Sequence, residues 1–159
     1  MIPLERLKER LKYDPETGLF ICLVGQSPLN VGDVAGYVDQ RGYRYITIDR
    51  HKSLAHRWAW FYMTGGWPTN EIDHKNGVKD DNRFGNLRQA THLLNQQNQR
   101  KAQRKNKAGL LGVCAKRNGF MASIKVNGKN KWLGSFSTPE LAHAAYVAAK
   151  RKFHEGCTI

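Results

Sequence analysis

At 159 residues with 40% hydrophobic side chains, the chain can hold one ordinary domain or two small ones, and its composition excludes a wholly disordered polyelectrolyte. Lys plus Arg number 26 against 13 for Asp plus Glu, a formal charge of +13 that points to a polyanionic partner. Cys22, Cys114 and Cys157 form no C-x-x-C pair, no apolar run approaches bilayer length, and Met1-Ile2-Pro3-Leu4-Glu5-Arg6 lacks the apolar core of a secretory signal, so zinc knuckles, disulfide frameworks and membrane partners are not expected and a cytoplasmic setting is.

In chain order, Leu4, Leu7 and Leu11 predict an amphipathic helix over 3–12, with Pro3 tolerated in its first turn. The turn chemistry of Tyr13-Asp14-Pro15-Glu16-Thr17-Gly18 ends it. A strand is expected over 19–24, and hairpin arms over 36–39 and 43–48 around Gln40-Arg41-Gly42, giving a small N-terminal sheet. Leu54, Trp58, Phe61 and Tyr62 predict a helix over 54–64, with Ser53 as N-cap and Gly65-Gly66-Trp67-Pro68 as the stop. Ile72 opens a short strand that meets the turn Lys75-Asn76-Gly77. A polar loop runs to Gly85, Leu87 to Ala90 returns as a strand, and Thr91 can cap a helix from His92.

Residues 96–107 are polar and basic, a composition suited to a linker or to a segment that follows a DNA groove. Three strand-like runs follow at 112–115, 120–126 and 131–136, separated by Arg117-Asn118-Gly119 and Asn127-Gly128-Lys129. Thr138-Pro139-Glu140 is a helix start, and Leu141, Ala145, Ala148, Ala149 and Phe153 supply the helix with an apolar face. Charge follows this division: residues 1–54 carry 8 basic and 7 acidic side chains, 55–100 carry 6 and 4, and 101–159 carry 12 and 2. The cationic excess sits in the last third.

The stretch Glu71-Ile72-Asp73-His74-Lys75-Asn76-Gly77, with Asp80-Asp81-Asn82-Arg83-Phe84-Gly85-Asn86-Leu87-Arg88 and Asn95 after it, carries the chemistry. It gathers carboxylate, imidazole and amides in a combination suited to metal-assisted attack on a phosphodiester. His74 can take a proton from water, because imidazole titrates near neutral pH. Asp73 offers a hard anionic oxygen, and Asn95 is the chosen second ligand over its neighbours His92 and Asn98, a sparse set of the kind Mg²⁺ accepts. Neighbouring strand residues point to opposite faces, so the pair Asp73–His74 can flank one phosphate only if the strand breaks there. Asn86 can pin the loop through its amide, and Arg88 either contacts phosphate or closes the hairpin.

These residues, with Ala55-His56-Arg57-Trp58-Ala59-Trp60, Gly65-Gly66-Trp67-Pro68 and Asn95-Gln96-Gln97-Asn98, resemble an HNH endonuclease of the phage and homing type over roughly 13–100. The resemblance implies an α+β chain with a ββα-metal nuclease domain that cuts or nicks duplex DNA with one divalent ion, Mg²⁺ first and Mn²⁺ or another ion as alternatives. It implies His74 as general base, Asp73 and Asn95 as metal ligands, and Asn86 as the loop-organising amide. It also implies a bacterial or phage-infected cell as the setting.

Residues 109–156, through Gly112-Val113, Phe120-Met121-Ala122-Ser123-Ile124, Trp132-Leu133-Gly134-Ser135-Phe136 and Thr138 to Tyr146, resemble the DNA-binding module of plant ethylene-response factors. That resemblance implies three antiparallel strands packed on one helix, with the sheet reading DNA. The expected organisation is 1–100 for the nuclease domain with its N-terminal sheet, 101–108 for a basic linker and 109–159 for the DNA-binding domain. Candidate DNA contacts are Arg88, Arg100, Arg104, Lys105, Lys107, Lys116, Arg117, Lys125, Lys129, Lys131 and Trp132. The rival expectation is a DNA-binding protein on the same scaffold without cleavage, as a regulator or packaging accessory; a third is RNA binding. The sequence marks no dimer surface.

Overall fold

The computed structural model of the chain describes residues 2–25 and 28–158, which form two compact units, Met1–Thr91 and His92–Ile159. Both are mixtures of helices with small antiparallel sheets, the α+β class expected.

In the first unit, α1 (Leu4–Arg10) runs directly into β1 (Leu11–Tyr13), which pairs antiparallel with β2 (Phe20–Cys22). The helix expected to reach Lys12 therefore stops two residues early. Alternation is the reason: on a strand, Leu11 and Tyr13 both enter the core beside Phe20 while Lys12 stays in solvent. A three-stranded sheet follows, ordered β3 (Tyr37–Val38), β4 (Arg44–Ile48), β5 (His51–Leu54). The last of these was not expected. It returns through Asp49 and Arg50, both at positive φ (45° and 68°), with Ile48 opposite His51. Ser53 lies within β5 opposite Ile46, so it does not cap α2 (Ala55–Thr64), whose N-cap position is taken by Leu54 without a side-chain bond.

The first core gathers Leu7, Phe20, Ile46, Trp58 and Ala59, and the Trp58 indole N–H donates to the Ile46 carbonyl at 3.2 Å, fastening α2 to β4. The α2 stop is Gly65, at φ +74°. Then β6 (Glu71–His74) and β7 (Leu87–Ala90) make a two-stranded sheet, with a 3₁₀ turn at Phe84–Asn86 leading into β7.

The second unit contains α3 (His92–Gln97), β8 (Val113–Lys116), β9 (Gly119–Val126), β10 (Lys129–Phe136) and α4 (Pro139–Phe153). Its sheet runs β10-β9-β8, and α4 covers one face through Ala142, Tyr146 and Ala149 against Val113, Ala122 and Ile124. Thr138 caps α4 as expected, its hydroxyl accepting from the Leu141 N–H at 3.3 Å. Gly112, at φ +78°, lies so close under the Tyr146 ring that a Cβ there would meet it at 1.9 Å.

The unit boundary at Thr91 differs from the domain boundary expected at residue 100. The backbone N–H of Gly156 donates to Gln97 Oε1 (3.1 Å), the Thr158 hydroxyl to Asn98 Oδ1 (2.5 Å), and the Lys150 ammonium to the Gln99 carbonyl. The stretch expected as linker is also held, since the Asn106 amide donates to the Leu110 and Val113 carbonyls at 2.9 and 3.0 Å and Ala108 joins the core. Polar side-chain bonds organise this segment, so its hydrophilic composition concealed the packing. Among the described residues, no helix is long and apolar enough to cross a membrane.

Candidate active site

The β6–β7 ladder continues through both Asp73 and His74, placing Asp73 opposite Arg88 and His74 opposite Leu87. The chain turns only afterwards, where the Gly77 N–H donates to the His74 carbonyl at 2.9 Å. The break expected at this pair does not occur, and strand alternation sends the two side chains to opposite faces. Asp73, 5% exposed, faces Arg88, whose Nε and Nη2 both donate to its Oδ2 at 3.0 and 2.8 Å. This ion pair bridges the two strands of the hairpin.

His74, also 5% exposed, lies on the other side. Its Nε2 is 3.1 Å from Asn82 Oδ1, and its ring stands perpendicular to that of His56 at 4.9 Å, with Tyr43 at 6.3 Å. Asn82 is fully buried, and its Nδ2 donates to the Asp80 carbonyl (3.2 Å) and to Asp80 Oδ1 (3.4 Å). Those bonds orient the amide, so its oxygen faces the imidazole. The neutral His74 ring must then donate from Nε2 and carry its lone pair on Nδ1. Burial pushes the His74 pKa below the ordinary imidazole value, against the Asn82 hydrogen bond and the charges of Asp73, Asp81 and Asp80, which pull it upward. His56, held neutral by burial with a pKa pushed down to about 3, is a packing residue.

The loop between the strands is cross-braced by amides. Asn86 Oδ1 accepts from the Asn76 N–H (3.0 Å), and its Nδ2 donates to Asn76 Oδ1 (3.0 Å) and to the Asp81 carbonyl (2.7 Å). Asp81 accepts from Asn76 Nδ2 at 2.6 Å and from Arg83, whose guanidinium holds its carboxyl down at a pKa of about 2. The N-terminal sheet secures the same loop from beneath: the Tyr13 hydroxyl donates to the Asn82 carbonyl (2.7 Å), Arg44 pairs with Asp80 through two bonds of 2.9 Å, and Lys79 donates to the Arg41 carbonyl (2.9 Å). Gly18 permits this approach, because a Cβ there would lie 2.4 Å from the Arg83 nitrogen. Asn82, Asp80 and Tyr13 are the positioning residues that sequence reading missed. The only signal for them was the density of Asp and Asn in the loop.

In the second unit, Asn95 is half-buried on α3. Of its rivals, Asn98 is buried and accepts from Thr158, and His92 lies with its Nε2 2.7 Å from the Gln96 amide nitrogen. Arg100 is engaged by the carbonyl and hydroxyl of Thr158 at 2.9 and 2.6 Å, whereas Arg104, Lys105 and Lys107 are exposed.

The sheet candidates divide by face. Ala122 and Ile124 point to α4, so alternation turns Met121, Ser123 and Lys125 outward. Register then puts Trp132, 65% exposed and opposite Ser123, on that open face with Lys125 and Lys116. Lys131, opposite Ile124, lies on the helix side with its ammonium 4.3 Å from the Phe153 ring centroid, and Lys129, opposite Val126, shares that side. Neither belongs to the open face expected for all the sheet lysines. Arg117 is exposed in the β8–β9 turn.

Residues 53–97, under a third of the chain, match the family model of HNH endonucleases. The matched segment runs from Ser53 in β5 to Gln97 in α3 and includes Asp73, His74, Asn82, Asn86 and Asn95. By that match the segment is similar to HNH endonucleases, a family that acts on or binds DNA. The match does not extend to the residues that resemble the ethylene-response-factor module. No curated protein and no solved structure matches the chain.

Proposed function

We propose that the chain is a metal-dependent endonuclease hydrolysing phosphodiester bonds of duplex DNA. One observation carries this reading: within the segment matching HNH endonucleases, Asn82 Oδ1 holds Nε2 of the buried His74 and so fixes the orientation of the ring. His74 takes the proton of the attacking water. Asn86 keeps the loop in shape around it.

The resemblance to HNH endonucleases implies Asp73 and Asn95 as oxygen ligands of one divalent ion, Mg²⁺ first and Mn²⁺ second; in the structure Asp73 is paired with Arg88 on the face of β6 away from His74, an arrangement that does not fit an ion shared with His74 unless the strand opens at this pair. When bound, the ion supplies positive charge to the phosphate and the leaving oxygen. Lys116, Lys125 and Trp132 on the open sheet face, with Arg104, Lys105, Lys107 and Arg117, hold the duplex through its backbone.

The test is incubation of the purified full chain with supercoiled plasmid in Mg²⁺ or EDTA. Nicking is expected in Mg²⁺ alone, and His74→Ala is expected to abolish it while leaving DNA binding intact. The competing reading, a DNA-binding protein without cleavage, is favoured by the engagement of Asp73 with Arg88 and the burial of His74. Duplex binding with no nicking in any divalent metal would establish it.

A further inference from the structure

Arg44 stands on β4 on the same face as Ile46 and Ile48, which lie in the core, and its guanidinium meets Asp80 of the β6–β7 loop as a fork. Nε donates to Asp80 Oδ1 and Nη2 to Oδ2, both at 2.9 Å, and the side chains are 17% and 34% exposed. A two-pronged pair of this kind fixes the plane of a carboxylate as well as its position. Asp80 Oδ1, so placed, also accepts from Asn82 Nδ2 at 3.4 Å, beside the Asp80 carbonyl at 3.2 Å.

The side-chain amide of Asn82 is nearly symmetric in shape but opposite in chemistry at its two ends. Turned over, it would present an N–H to His74 instead of an oxygen. The two acceptors that select the observed orientation both belong to Asp80, and Arg44 fixes one of them. A chain of bonds therefore runs from Arg44 through Asp80 and Asn82 to Nε2 of His74, where Asn82 Oδ1 lies at 3.1 Å. The same hairpin grips the neighbouring residue, since Lys79 donates to the Arg41 carbonyl at 2.9 Å with its ammonium 4.7 Å from the Tyr43 ring centroid. Asp39 stiffens the hairpin turn, its Oδ1 accepting from the N–H groups of Arg41 and Tyr43 at 2.9 Å each.

Building on the endonuclease reading, we propose that Arg44 is a positioning residue for that reaction: acting through Asp80 and Asn82, it holds the His74 ring in the orientation from which the ring takes a proton. Arg44 precedes the segment 53–97 that matches HNH endonucleases, so the working unit extends back into the N-terminal sheet. Arg6 is the natural control. Its guanidinium pairs with Asp49 through bonds of 2.7 and 3.3 Å, joining α1 to the β4–β5 turn at the other end of the same strand.

The experiment compares full-length wild type, Arg44→Gln, Arg44→Lys, Asp80→Asn, the Arg44→Gln/Asp80→Asn double variant and Arg6→Gln. The readouts are kcat and KM for supercoiled plasmid in Mg²⁺, thermal unfolding, and the long-range ¹H–¹⁵N correlations of the His74 ring at one fixed pH without metal or DNA. Wild type is expected to show a single ring form protonated at Nε2. Arg44→Gln and Asp80→Asn should each lower kcat by roughly tenfold with KM within about twofold, the pattern of a misplaced proton acceptor, and should each give averaged ring-nitrogen shifts. Arg44→Lys keeps the charge but loses the fork and should fall between. The double variant should be no slower than the slower single one, because both groups act along one chain of bonds. Arg6→Gln, whatever it costs in stability, should keep the wild-type kcat and ring signal.

An unchanged kcat and ring signal in folded Arg44→Gln would overturn the assignment and leave the endonuclease reading intact. A lowered kcat with the wild-type ring signal, or an equal loss in Arg6→Gln, would also overturn it, since weakening of the sheet alone produces either. If Arg44→Gln does not fold, Arg44→Lys and Asp80→Asn decide by the same readouts. Wild type that nicks in no divalent metal would overturn the endonuclease reading, and the ring signal by itself would then decide whether Arg44 holds His74.

Discussion

The perpendicular imidazoles of His56 and His74, 4.9 Å apart, are both buried and both depressed in pKa by that burial. Protonating His56 places a charge in a site where few waters can solvate it. For His56 the unfolded chain takes its proton near pH 6.5 and the folded chain only near 3, so between those values the unfolded state binds more protons. Stability from this residue is fully present above about pH 6.5 and is lost as pH falls towards 3. The urea midpoint is therefore expected to drop between pH 6.5 and 4.5, a window above the range in which the lowered carboxyls of Asp14, Asp49 and Asp81 titrate. In His56→Gln that dependence should be shallower, and an equal slope in the variant would show that His56 is protonated without cost. Asp73 and His74 were legible as chemistry-bearing residues because carboxylate and imidazole beside a glycine turn are unusual neighbours. Asn82 was not, because its value to His74 depends on a bond across eight residues and on the direction of its amide.

Among the elements, the β4–β5 hairpin shows how a strand escapes sequence reading. Its turn residues Asp49 and Arg50 both sit at positive φ, the geometry of a two-residue hairpin that ordinarily selects Asn-Gly or Asp-Gly. Here Arg50 occupies the place of glycine, and Asp49 is held by the Arg6 guanidinium at 2.7 and 3.3 Å. A non-glycine residue in that region costs about 1–2 kcal/mol, so Arg50→Gly is expected to stabilise the first unit by roughly 0.5–1 kcal/mol after allowing about 0.4–1 kcal/mol for the freer unfolded chain. A melting temperature that falls would mean that Arg50 makes compensating contacts. The β8–β9–β10 sheet and α4 were legible, by contrast, because Arg117-Asn118-Gly119, Asn127-Gly128 and Thr138-Pro139-Glu140 carry the turn and cap chemistry their positions require.

For the whole molecule, the charge of +13 has consequence only through the faces on which it is displayed. Lys116 and Lys125 share the open face of the second sheet with Trp132, while Lys131 lies over Phe153 on the helix side. The salt dependence of duplex binding is expected to separate them. Lys116→Gln and Lys125→Gln should each lower the slope of log K against log salt by about 0.9, and Lys131→Gln should leave it nearly unchanged. Equal effects from all three would mean that DNA does not distinguish the two faces.

Periodicity, turn residues and composition determined most of the element types, the α+β class and the basic C-terminal third, because each is a local property of a few neighbouring residues. Three features were decided by tertiary structure alone: Oδ2 of Asp73 is committed to Arg88, the lone pair of His74 is assigned to Nδ1, and residues 97–100 are held by the C-terminal tail and α4. Each depends on which oxygen or nitrogen faces which partner across a ladder, a loop or a helix, and a one-dimensional pattern holds no record of that direction.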